Sequence, residues 1–202
     1  MCVSPAMRHS VGIVKIFERN DMSKLITLPG IGGSGDTHWQ TLWEREDTSI
    51  LRFAPTSWDN PDLTDWVNTL ENAVASVKEP PVLIAHSLAC LLVPHWMKRT
   101  ELRVMGVFLV AVPDPDGPVF PAQAHTFKNV PEDPISVPSV LITSSNDPYG
   151  TVEYAHKRAD QWRSSIIEIG TCGHINENSG IGEWEQGRAL LNAFVAGTAA
   201  SV

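Results

Sequence analysis

The chain has 202 residues, a formal charge of −8, 43% hydrophobic residues and 19% charged ones. It is long enough for one sizeable core and too short for two ordinary domains, and its acidic balance argues against nucleic acid, whose phosphates demand clustered Lys and Arg. No apolar run approaches the roughly 20 residues of a bilayer crossing, so membrane insertion is not expected.

Residues 1–22 contain Arg8, His9, Lys15, Glu18 and Arg19, which break up any apolar core of signal-peptide length. The repeating pattern begins at Ser23. Residues 1–22 are therefore expected to be an N-terminal extension that adds little to the core, or an over-read start with Met22 as initiator, and 23–202 one domain. Cys2, Cys90 and Cys172 make neither a disulfide framework nor a zinc spacing. A reducing, cytoplasmic setting is the reading that follows.

Six short apolar runs then alternate with amphipathic segments. Lys24 to Leu28 is the first expected strand, stopped by Pro29-Gly30, and Ile50 to Ala54 the second, stopped by Pro55. Val82–Ala85, Val104–Val112, Val137–Thr143 and Ser165–Ile169 follow. Continuous apolar runs indicate strands covered on both faces, as in a parallel sheet. Between them, Asp36 is placed to cap a helix with Trp39, Leu42 and Trp43 inward. Asn60-Pro61 opens a helix on which Leu63, Trp66, Val67, Leu70, Val74 and Val77 share a face. Val152, Ala155, Ala159 and Trp162 mark a further face, and Trp184, Leu190, Leu191, Phe194 and Val195 the last. Core packing is the expected role of all the tryptophans, with Trp39 as the one candidate for another. The order predicts an α/β fold, a doubly wound, mostly parallel sheet of about six strands flanked by helices. The proline-rich segment from Pro113 to Pro138 breaks the rhythm. It is expected to form a wall or partial lid of the site.

Ligands of such sheets bind beyond the carboxyl ends of the strands. Strand three, Val82-Leu83-Ile84-Ala85, runs into His86-Ser87 and at once into helix-forming residues. That is the strand–turn–helix pattern of a nucleophile elbow, with the small residues Ala85 and Ala89 flanking Ser87. The blander role for Ser87 is an N-cap. Asp147 follows strand five and His174 follows strand six, giving the chain order Ser, Asp, His. Serine needs a base to take its proton, which His174 can supply, and Asp147 would fix the tautomer of that histidine. Asp114 and Asp116, after strand four, are alternative acids. The Leu88 N–H at the helix start and the Ile31 N–H in the loop Gly30-Ile31-Gly32-Gly33-Ser34-Gly35 are the candidate oxyanion donors. Those glycines do not have the spacing of a dinucleotide or phosphate cradle, so no cofactor is expected. His86 is expected to lie buried beside the nucleophile, and His9, His95, His125 and His156 to be surface or structural. No histidine pair with a carboxylate has metal-ligand spacing, so no metal is expected either.

Several blocks together resemble one family: Leu28-Pro29-Gly30 with Gly33 and Thr37-His38-Trp39, the Ala-His-Ser-Leu-Ala elbow, Ser145 to Tyr149, and Gly173 to Asn176 with Ser179, Gly180, Gly182 and Trp184. They look like the small α/β-hydrolase-fold serine hydrolases of the retinoblastoma-binding protein 9 and YdeN type. The resemblance implies a compact hydrolase fold without a large cap domain, a triad of Ser87, Asp147 and His174, and carboxylesterase-like cleavage of small acyl substrates through an acyl-serine, with ester bonds as targets and amide bonds as the alternative. Gly30, His38 and Trp39 would line the substrate site. Three features depart from the pattern. Ala89 replaces a glycine, and Pro94 sits inside the helix after Ser87, where it should kink it. The Leu-x-Cys-x-Glu signature is absent, so no retinoblastoma partner is carried over. The alternatives are a non-catalytic interaction module that keeps the fold and thiol chemistry at Cys90 or Cys172. Substrate identity and oligomeric state are not written in the sequence.

Overall fold

The computed structural model describes residues 25–199, so the expected extension over 1–22 lies outside the described residues. Six strands form one sheet: β1 (Leu25–Leu28), β2 (Leu51–Arg52), β3 (Val82–His86), β4 (Gly106–Val110), β5 (Ser139–Thr143) and β6 (Ser165–Glu168). Every pairing is parallel and the order is β2-β1-β3-β4-β5-β6. The chain winds outward from β1 to β2, then returns to the other side of β1 to lay down β3. The order therefore reverses between β1 and β3, and the crevice beyond their carboxyl ends is where such a sheet binds ligands.

Period-two alternation sends successive side chains to opposite layers. Ile26, Leu28, Leu83, Ala85, Val107, Leu109 and Leu141 face α2 (Leu63–Ala75), α3 (Leu88–Met97) and α4 (Val152–Trp162). Leu25, Val82, Ile84, Phe108, Val110, Val140 and Ile142 face α1 (Trp39–Glu46) and α5 (Glu185–Ala199). Both faces are buried, which is why the strands read as unbroken apolar runs.

Element edges moved where capping chemistry decided them. His38, not Asp36, caps α1: its Nδ1 accepts from the Gln40 N–H, while Asp36 pairs with Arg45. Asp62, not Asn60, caps α2 by accepting from the Asp65 N–H, and Val77 lies beyond the end of that helix. α3 continues through Pro94 to Met97. The expected second strand shrinks to two residues and the fourth to five: those residues carry the parallel ladder register, and beyond them Phe53 and Ala111 add only single N–H bonds to Thr27 O and Ile142 O. Within 113–138 a short 3₁₀ helix, Ala122–Phe127, buries Ala124 and Phe127 against the core. Six of the seven tryptophans are buried, and half-buried Trp58 packs on Phe53 and Trp66. Among the described residues no helix is long and apolar enough to cross a membrane.

Candidate active site

Ser87 joins β3 to α3 with φ 56° and ψ −125°. A non-glycine residue held at positive φ costs on the order of 1–3 kcal/mol and survives only where its surroundings fix it. Here the Ser87 N–H donates to Val110 O on β4 (2.9 Å), and the Cys90 N–H donates to Ser87 O (2.9 Å). Ala85 and Ala89 are fully buried on either side. The side chain makes no cap bond to α3, so the N-cap role is not what holds it.

The loop after β1 approaches from the other side of the switch point. A Cβ added at Gly30 would lie 2.8 Å from Ser87 Cβ and 3.2 Å from His86 O. Neither neighbour is a flexible chain end, so only glycine fits. Gly30→Ala is expected to displace the elbow, lowering kcat/KM by about 10²-fold and stability by about 1–3 kcal/mol. Ester-hydrolysis kinetics beside a denaturant titration of the purified variant check both. Arg52 on β2 braces the same loop. It donates to Gly33 O (2.8 Å) and to Thr41 Oγ1 (2.6 Å) while paired with Glu44 (2.8 Å).

His174 sits in the loop after β6, where Gly170, Gly173 and Ile175 all have positive φ. Asn146 and Ser144, just past β5, accept from the Gly173 N–H (2.7 Å) and the Cys172 N–H (2.8 Å). These bonds bring His174 Nε2 to 2.7 Å from Ser87 Oγ, and Nδ1 to 2.9 and 2.8 Å from the two Asp147 oxygens. The Asp147 side chain is 1% exposed and that of His174 8%. Asp147 Oδ1 also accepts from the Tyr149 N–H at 2.9 Å. Asp114 does not take this place: its Oδ1 accepts from the Asp116 N–H at 3.0 Å, within its own turn.

Ser87 and His174 open into a cavity of about 320 Å³. Ile31 and Leu88 line it, with Phe120, Pro121 and Gln123 contributed by the proline-rich segment, which thus forms a wall. Leu88 is the first residue of α3, and N–H groups of a first helical turn have no partner within the helix. His38 lines the cavity too, whereas Gly30, expected in the substrate site, does not line it and packs against Ser87 instead. Trp39 does not line it. The indole is 0% exposed, packed in tilted and edge contacts among His38, Trp43 and Trp184, and its Nε1–H donates to Ile175 O at 2.8 Å. That corrects its expected place in the substrate site: it is the first residue of α1, on the buried face of the helix.

Two further histidines lie against the site. Burial, then the Arg52 charge and His174, bring His38 down to about 3. Burial, with His38 and His174 adding, holds His86 well below the ordinary histidine range. A folded state that keeps these rings neutral binds fewer protons than the unfolded chain below pH 6.5, so stability falls with pH in that window. For His38 the stabilisation is complete above 6.5 and is lost progressively as pH falls toward 3, at about 1.4 kcal/mol per pH unit. Urea titrations at pH 7, 6, 5 and 4 are expected to show stability falling below pH 6.5, with His86 adding to the His38 slope. The slope should become shallower, but not vanish, in His38→Asn, which keeps a cap acceptor for α1. Cys90 is fully buried and burial pushes its thiol up, which removes it as a nucleophile.

Sequence reasoning brought out Ser87, Asp147 and His174, which the structure joins, but missed the support of Arg52, Ser144 and Trp39. Arg52 and Ser144 carry no motif, and Trp39, which belongs to the Thr37-His38-Trp39 block, is expected at the substrate and not beneath the His174 loop. Only the position of Ser144, next to the Asp147 block, could have drawn attention to it.

A serine hydrolase family profile matches residues 25–193. A YdeN-like hydrolase from Pectobacterium atrosepticum is similar at 30% identity, over 87% of this chain and 91% of that one, with a TM-score of 0.79. The YdeN protein of B. subtilis is similar at 19% identity over 87% and 100% of the two chains, TM-score 0.72. The esterase domain of a Rhodothermus marinus protein, 18% identical over 79% and 83%, TM-score 0.58, shares the fold. No curated protein matches the chain significantly. A matched segment that runs from β1 into α5 and contains all three linked side chains makes this chain a member of the serine hydrolase family, with the α/β-hydrolase fold.

Proposed function

We propose that this protein hydrolyses small acyl esters through an acyl-enzyme on Ser87, with His174 as base and Asp147 as its partner. One observation carries the reading. Ser87 is held at positive φ with its hydroxyl 2.7 Å from His174 Nε2, while the Nδ1 edge of the same ring is held by a buried carboxylate. In the first step Oγ attacks the acyl carbon as its proton passes to His174 Nε2, and the resulting imidazolium is stabilised by Asp147. The N–H groups of Leu88 and Ile31 receive the oxyanion. The proton then goes to the leaving alkoxide, and water repeats the sequence to release the acid.

A cavity of about 320 Å³ lies at the small end of ligand sites, which favours short acyl groups. The esterase domain and the monoacylglycerol lipase among the proteins sharing this fold support an ester over an amide as substrate. Cys90 and Cys172 are free thiols, in keeping with a reducing compartment. The test is labelling by a fluorophosphonate, which reacts with activated serines. Wild type should label stoichiometrically on the peptide containing Ser87, and Ser87→Ala and His174→Ala should not. A folded wild type that stays unlabelled would turn the argument toward a binding protein that keeps the fold.

A further inference from the structure

We propose that His86 and Trp39 are positioning residues: their ring N–H groups clamp the consecutive carbonyls of His174 and Ile175 and so hold the base against the nucleophile. The proposal rests on the reading of His174 as that base. His86 Nε2 lies 3.0 Å from His174 O, and Trp39 Nε1 lies 2.8 Å from Ile175 O, both bonds buried. A carbonyl only accepts, so Nε2 of His86 carries the proton.

The clamped loop needs holding. Ile175 has φ 49° and is 0% exposed. For a β-branched residue that conformation is a true outlier, kept only where neighbours over-determine it. Ser144 and Asn146 take the N–H groups of Cys172 and Gly173 from the β5 side. His86 and Trp39 take the next two carbonyls from the α1 side of the sheet. The loop is thus gripped from two directions, with His174 between.

Both donors belong to segments that also place the nucleophile. His86 immediately precedes Ser87, and Trp39 opens α1 after the loop that contacts Ser87. His86 thereby closes a small ring: covalently to Ser87, through Oγ to His174 Nε2 at 2.7 Å, and from the His174 carbonyl back to its own Nε2 at 3.0 Å. Neither bond supplies a proton or a charge to the reaction. Each fixes where the imidazole stands, and productive geometry tolerates only about 0.5 Å.

The expected result is a loss in kcat without a change in binding. His86→Phe keeps a ring and loses the donor, and kcat should fall about 10- to 10²-fold with KM within about twofold. His86→Gln, whose amide nitrogen stands at the same reach, should recover most of the loss. Trp39→Phe should lose about tenfold in kcat and serves as the second variant if His86→Phe does not fold. In both Phe variants, amide hydrogen exchange over 170–176 should quicken while the sheet keeps its protection. Phe variants within twofold of wild type, or a Gln variant as impaired as Phe, would overturn the clamp. A wild type that neither labels with fluorophosphonate nor turns over p-nitrophenyl esters defeats the hydrolase reading instead. Hydrogen exchange then still decides the clamp, and unchanged protection over 170–176 rejects it.

Discussion

Ser87→Ala is expected to lower kcat/KM for p-nitrophenyl acetate by about 10⁶-fold, the scale seen when a nucleophile that works as one unit with its base is removed. The structural ground is that Ser87 Oγ is the atom placed against His174 Nε2, at 2.7 Å, and no cap bond competes for it. What remains should be slow water attack helped by binding and oxyanion donors. Stability should change by no more than about 1 kcal/mol, because one hydroxyl bond is lost and alanine carries the same strain at φ 56°. Steady-state rates with a thermal melt check both parts. A variant that keeps a tenth of the wild-type rate would remove Ser87 from the chemistry.

Asp147→Asn is expected to cost about 10⁴-fold in kcat with KM little changed. The carboxylate accepts from His174 Nδ1–H, leaving Nε2 free to take the serine proton. An amide can present an N–H to Nδ1 instead. That stabilises the other tautomer, in which Nε2 already carries a proton and cannot act as base. The Asp147 side chain is only 1% exposed, so water does not take its place. Asp114→Asn, whose Oδ1 can still accept from the Asp116 N–H, should stay near wild type. Full activity in Asp147→Asn, or its loss in Asp114→Asn, would move the acid to the end of β4.

The fold was legible because burial on both faces of a parallel sheet writes each strand as an apolar run. Leu83 and Ile84 are equally hydrophobic in sequence although they face opposite layers. Chain ends of strands were legible for the same reason, and with them Ser87, Asp147 and His174. Helix starts were not. By residue type Asp36 is a better cap than His38, and Asn60 as good as Asp62, yet it is His38 and Asp62 whose side chains accept from the first turns, while Asp36 pairs with Arg45 at the surface. Long-range bonds from ordinary residues left no local signal either. Trp39 reads as a candidate for the substrate site, beside His38, from the blocks that carry the family resemblance. Only the path of the His174 loop, far along the chain, turns its indole N–H inward to Ile175. His86 could be placed beside the nucleophile by adjacency, but its bond to His174 O depends on a residue 88 positions away.

The most direct test of the acyl-serine mechanism is the mass of the enzyme quenched within milliseconds of mixing with excess p-nitrophenyl acetate. The mechanism predicts a burst of p-nitrophenol equal to the enzyme present, a mass increase of one acetyl group, and its location on the peptide containing Ser87. Turnover with no burst and no added mass, or an acetyl group on another side chain, would contradict it.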